Sequence, residues 1–195
     1  MGKLVISEFI TVDGVAEDPG GEAFQRGGWA FQFDRGQEGD KFKLDEVLAA
    51  EALLLGRVTY EGFARAWPQM KDEVGFAEKM NSMPKYVASG SLREPEWANT
   101  KVLDGDVIDA VRKIKDESEG DLLVNGSMSL SQTLLGRGLV DEVRLMVFPI
   151  VLGAGKRLFG DTKRPLALRQ VESRPAGDTM IVIYRPAGDG GAGSG

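Results

Sequence analysis

Residues 3–12, "KLVISEFITV", form a nearly unbroken apolar and β-branched run closed by the turn pair Asp13-Gly14, which predicts a β-strand. A long connection rich in glycine and aromatics follows, "VAEDPGGEAFQRGGWAFQFDRGQEG". Connections of that length inside a compact domain are functional lids or disordered, and Trp29, Phe31 and Phe33 argue against disorder. In "DKFKLDEVLAA" the apolar residues Phe42, Leu44, Val47 and Leu48 fall on one helical face. "EALLLG" reads as a strand buried on both sides. "VTYEGFARAW" predicts a helix, and "EVGFAEKMNSM" a weaker one stopped by Pro84. Then come a strand, "KYVASGS", a short strand, "KVLDG", and an amphipathic helix, "DVIDAVRKIKDESEG", with Asp106 as N-cap and Gly120 past its end. "DLLVNGS" is a buried strand, "MSLSQTLLGRG" a helix ended by Gly136 and Gly138, and "VDEVRLMVFPIVLG" a long strand. "LALRQVESR" with "TMIVIYRP" predicts a terminal antiparallel pair.

Alternation of strand and helix before an all-strand finish predicts an α/β fold. Its central sheet is mostly parallel, with helices on both faces and a C-terminal antiparallel strand pair. No interior linker or internal repeat divides the chain, so residues 1–186 are expected to form one domain. The run "AGDGGAGSG", 187–195, has nothing to bury and is expected to be a disordered tail.

Composition narrows the chemistry. Thirty acidic against 24 basic residues give a net charge of −6, which argues against nucleic acid as a partner but allows a small phosphorylated ligand at one local site. Without cysteine there is no disulfide framework, and without histidine there is no Ser-His-Asp or Cys-His nucleophile and no His or Cys metal cluster. Proton transfer then falls to carboxylates, Lys, Tyr, water or a cofactor. No apolar run reaches the length of a membrane span and no secretion signal opens the chain, so a cytoplasmic protein is expected. Two glycine motifs fail on context. Gly188, Gly190 and Gly193 match G-x-G-x-x-G but open no helix, and "GAGK" at 153–156 lacks the remainder of a P-loop.

Three strand ends share a feature: an apolar strand runs into glycine or small residues. They are Leu55-Gly56-Arg57-Val58-Thr59, Val87-Ala88-Ser89-Gly90-Ser91 and Val124-Asn125-Gly126-Ser127-Met128. In a parallel sheet these ends line one crevice. Glycine admits close backbone approach, and unpaired N–H groups at helix starts make an anion site that Arg57, Thr59, Ser89 and Ser91 can complete. Equally, the glycines can simply end strands and the hydroxyls cap helices.

The stretch "LLLGRVTYEGF", followed by "KYVASGSL" and "LLVNGSMSLSQTLL…LVDEVRLMVFPIVLGAGKRLF", resembles the dihydrofolate reductase-like family. It is most similar to the bacterial branch containing the reductase domain of bifunctional riboflavin-biosynthesis deaminase-reductases. The resemblance runs from the first strand to about Pro186. It implies an NADPH-dependent reductase acting on a pteridine, a phosphoribosylaminopyrimidine-like or other heterocycle, or a carbonyl compound, working as a homodimer. By the same resemblance the G-R-x-T turn, Gly56, Arg57 and Thr59, would hold the cofactor phosphates. Ser89 and Ser91 would meet the adenosine-side phosphate, and Gly126 and Ser127 the pyrophosphate and nicotinamide ribose. Two positions depart from the pattern: relatives commonly carry arginine where Gly90 stands, and Ser127 replaces a second glycine, at a turn that in the family often holds a cis peptide. For the reacting centre the resemblance points to Asp40, sixteen positions before Gly56, and to Asp13, which matches an S-L-D-G-like turn. Asp40 also fits an N-cap and Asp13 a simple Asp-Gly turn. Trp29 would cover the substrate or pack the long loop, and Lys156 and Arg157 would meet a substrate phosphate or solvent. A nucleotide-binding sensor or scaffold without turnover is the alternative from another class.

Overall fold

The structure is a computed structural model that describes residues 2–21, 23–160 and 165–187. The glycine-rich run 188–195 lies outside the described residues. Strands are β1 (Leu4–Thr11), β2 (Ala50–Gly56), β3 (Lys85–Ala88), β4 (Thr100–Val102), β5 (Asp121–Val124), β6 (Glu142–Phe148), β7 (Leu168–Ala176) and β8 (Thr179–Pro186). Helices are α1 (Gly36–Ala49), α2 (Arg57–Ala66), α3 (Phe76–Ser82), α4 (Val107–Glu117) and α5 (Met128–Gly136). The described strands form one sheet in the order β4-β3-β2-β5-β1-β6-β8-β7. Strands β1 to β6 run parallel, β8 joins β6 antiparallel, and β7 closes the edge against β8.

The uninterrupted apolar character of the central strands has a direct cause: both faces of the sheet are covered. Leu4, Ile6, Leu54, Leu122 and Val124 pack against α4 and α5 through Ile108, Val111, Leu134 and Leu135. Val5, Leu53, Leu55 and Leu123 point the other way, toward Val47, Tyr60 and Met80 of α1, α2 and α3. Each buried leucine contributes about 2 kcal/mol by leaving water.

A third cluster explains the long connection after β1. Trp29 is fully buried among Phe148, Met146 and Ile181, meeting Phe148 edge-on at 5.2 Å and 82°. Its indole Nε1 donates to Glu17 O at 3.0 Å, so the one polar atom of the ring is satisfied. The segment is thus tied to the sheet.

Several boundaries differ from the sequence pattern, those of α1 and β6 the most. Helix α1 begins at Gly36, where Asp34 Oδ1 accepts the Gly36 N–H at 2.7 Å, so Asp40 sits inside the helix and caps nothing. Strand β6 stops at Phe148 because the next residue, Pro149, has no N–H for the ladder. Asp106 does cap α4, its carboxylate accepting the N–H groups of Ile108 and Asp109.

Candidate functional site

Strand lengths open the site. On one side of β1 the ladder with β5 ends at the pair Ile6 and Val124, while on the other side the ladder with β6 continues to Thr11 and Phe148. Past Val124, therefore, one flank of β1 has no neighbouring strand. Ser7, Glu8 and Phe9 line a cleft of about 2180 Å³ there. That exceeds the few hundred to about 1,000 Å³ of an ordinary small-molecule pocket, so there is room for two molecules side by side.

The predicted strand ends meet at this cleft: Gly56, Arg57 and Thr59 from β2–α2, Ser89 and Gly90 after β3, and Asn125, Gly126 and Ser127 from β5–α5. Two of the turns are bonded together. Ser127 Oγ accepts the Gly56 N–H at 2.8 Å, and Thr59 Oγ1 accepts the Ser127 N–H at 2.9 Å. Gly126 and Ser127 are both left-handed, with φ of 62° and 60°. A Cβ on Gly126 would lie 2.8 Å from Thr59 Cγ2, so both conformation and contact require glycine. The described residues contain no cis peptide bond.

Unlike α4, neither α2 nor α5 has a side-chain cap, and the first residues of both line the cleft. Positive partial charge at both starts suits an anion lying across the fused turns. Arg57 adds a movable charge: its guanidinium pairs with Glu61 at 2.9 and 3.1 Å on a side chain that is 45% exposed. Such a pair is worth under about 1 kcal/mol and yields readily to a phosphate. Ser89 Oγ accepts the N–H groups of Ser91 and Leu92, which shapes its turn and leaves the hydroxyl hydrogen to donate. Ser91 is exposed and off the cleft wall, whereas Arg93 from the same loop lines it.

The expected substrate-side residues scatter. Asp40 lines the cleft, exposed and paired with Arg35 at 2.7 Å. Lys156 also lines it, its Nζ 3.7 Å from Glu17 Oε1. Asp13 instead joins the β1 turn to the loop after β6. It accepts from Thr11 Oγ1 at 2.6 Å, Gly153 N at 2.8 Å and Leu152 N at 3.2 Å, and these bonds hold its carboxyl down at about 2. Arg157 Nε donates to Asp13 O at 3.0 Å and belongs to the same joint. Neither Asp13 nor Arg157 is part of the cleft wall. Trp29 lies beneath the wall in the core, and its neighbours Ala30 and Phe31 form the surface instead.

Glu8 was outside the sequence expectation. It occupies the same face of β1 as Ile6 and Ile10, is 5% exposed, and its Oε1 has no hydrogen-bond partner among the described residues. Burial pushes its carboxyl well above the usual carboxylate range, against the opposing pull of the Gly126 N–H and of Lys43. Lys43 is committed elsewhere, bonding Ser7 Oγ at 2.8 Å and the Glu46 carboxylate. The available signal was a glutamate inside the apolar run "LVISEFI".

Among the described residues no group of His, Cys, Asp and Glu could hold a metal ion, and no helix is long and apolar enough to cross a membrane. The sequence model of the RibD C-terminal domain matches residues 2–182. Uncharacterized protein YyaP of Bacillus subtilis (strain 168) is 28% identical over 184 residues, 93% of each chain. A putative riboflavin biosynthesis protein from Shewanella sp. PV-4 superposes with a TM-score of 0.76 at 19% identity, over 95% of this chain and 99% of that one. Dihydrofolate reductase from Enterococcus faecalis, solved with NADP(H), gives 0.56 at 12% identity, over 95% and 96%. These two structural likenesses share the fold.

Proposed function

Because the chain belongs to the RibD C-terminal domain family, whose fold it shares with dihydrofolate reductase, we propose that it is an NADPH-dependent reductase of a small substrate. The substrate would be a pteridine, a phosphoribosylaminopyrimidine-like or other heterocycle, or a carbonyl compound. One observation carries this reading: the fused β2–α2 and β5–α5 turns present two uncapped helix starts, side by side, to one cleft.

A bound reduced nicotinamide would supply the hydride that such a substrate accepts at an electron-poor carbon. The protein's own residues bind and orient. N–H groups at the starts of α2 and α5, with Thr59 and Arg57, hold the phosphate pair, and Gly126 lets the backbone approach closely. Ser89 and Arg93 take the adenosine-side phosphate, Arg93 standing in for the arginine that Gly90 lacks. Ser7, Phe9, Phe31, Asp40 and Lys156 line the remaining end, where a flat ring has Phe9 and Phe31 to pack against. Lys156 offers a charge to a substrate phosphate.

The test is NADPH oxidation, followed by absorbance, across a panel of small pteridines, pyrimidines and carbonyl compounds. Turnover with any member supports the reading. Tight NADPH binding without turnover across the panel would mark a dinucleotide-binding sensor instead.

A further inference from the structure

Of the carboxylates that line this cleft, Glu17, Asp18, Asp72 and Asp104 are not buried, and their environments separate Asp40, Glu8 and the off-wall Asp13. Asp13 is off the wall and held ionised by three donors. Asp40 is exposed and paired with Arg35, as an ordinary surface carboxylate is. Glu8 alone of these carboxylates is buried in the wall, with an oxygen that has no hydrogen-bond partner among the described residues. Burial without a counter-charge of its own favours the protonated form of a carboxyl.

We propose that Glu8 is the acid of this site: its carboxyl, seated in the cleft wall between β1 and the start of α5, donates the proton that accompanies reduction of the bound substrate. The inference rests on the reductase reading above. Reduction of a C=N or C=O bond places hydride, with both its electrons, on carbon, and the heteroatom must then take a proton. The nicotinamide is the reductant. The O–H bond of Glu8 breaks as an N–H or O–H bond forms on the substrate.

The surroundings suit that transfer. On the face of β1 that carries Glu8, its strand neighbours are Ile6 and Ile10, and in the β1–β6 register it stands opposite Leu145. These apolar neighbours favour the neutral form before the step. The charged groups that act on it are Lys43 and Glu46, both on α1, and they neutralise one another through their own ion pair. After the step the carboxylate is met by the Gly126 N–H and the field of Lys43, and it regains a proton from solvent once product leaves. The same N–H belongs to the turn that receives the cofactor phosphates, which places the acid beside the fused turns.

Glu8→Gln keeps the shape and removes the acidity. With NADPH and a substrate found in the panel, this variant should bind NADPH as the wild type does, while kcat falls about 100-fold or more. Wild-type kcat should fall as pH rises through the Glu8 value. Glu8→Asp should retain that limb at a reduced rate, and Glu8→Gln should lack it. An infrared difference between wild type and Glu8→Gln should show a protonated carboxylic acid at neutral pH, with or without cofactor. Wild-type kcat in Glu8→Gln, or an ionised Glu8 in the infrared difference, overturns the proposal and leaves the reductase reading standing. A wild type that binds no NADPH overturns the reading and the proposal together, and is distinguished by failing before any variant is compared.

Discussion

Thr59 Oγ1 accepts the Ser127 N–H at 2.9 Å and lies 3.0 Å from Ser127 Oγ, so a threonine in the first turn of α2 fixes the start of α5. Thr59→Val preserves the shape and leaves the Ser127 N–H without its partner. Stability should fall by about 1 to 2 kcal/mol in a denaturant melt. If the fused turns hold phosphate, NADPH affinity should fall roughly tenfold, about 1.4 kcal/mol, in a fluorescence titration. Unchanged affinity would separate the turns from the cofactor site.

Gly126 makes a sharper test of the same place. Gly126→Ala meets both a φ of 62° and a contact of 2.8 Å to Thr59 Cγ2. Strain and overpacking together should cost roughly 2 to 4 kcal/mol. Gly62 in α2 is the matched control, since a Cβ there meets nothing within 4 Å. Gly62→Ala should stabilise by about 0.5 to 1 kcal/mol. Equal effects of the two substitutions on the melting temperature would contradict this assignment.

Asp13 predicts a pH dependence of stability. Its folded value, about 2, lies below its ordinary 3.8. A depressed carboxyl contributes stability above the unfolded value and loses it as pH falls through the folded one. Asp13→Asn should therefore melt below wild type at neutral pH, with the gap closing between about pH 4 and pH 2. A gap that persists unchanged to pH 2 would mean that the carboxylate charge is not what joins the β1 turn to Leu152 and Gly153.

Arg93 bears on cofactor choice. If it supplies the charge that Gly90 does not, Arg93→Ala should weaken NADPH binding roughly tenfold or more and leave NADH nearly unchanged. Equal loss for both dinucleotides would remove Arg93 from 2′-phosphate recognition.

The order of strands and helices was legible because apolar runs bounded by glycine and proline follow directly from burial on both sheet faces. "EALLLG" and "DLLVNGS" are β2 and β5 with their turns, and Asp106 caps α4 as its spacing implies. The convergence of Gly56, Ser89 and Gly126 was legible for the same reason, since parallel strands end along one edge. Which aromatic is core and which is surface was not. Trp29 is fully buried and Phe31, two residues on, is 81% exposed, a difference set by packing against Phe148 that lies far away in sequence. Glu8 was hidden for a similar reason. In "KLVISEFITV" it is a lone glutamate on an otherwise apolar face, and its burial in a cleft wall arises only because β5 stops at Val124 while β6 continues to Phe148.

On the proposed function, a nicotinamide dinucleotide lies in the cleft over the fused turns. Trp67 lines that cleft and Trp29 lies beneath its wall, so intrinsic fluorescence reports on a ligand bound there. Titration with NADPH should give saturable quenching with a Kd in the micromolar range, about 8 kcal/mol of binding free energy. A flat titration, with the protein folded and Trp67 emitting, would rule out a dinucleotide in this cleft.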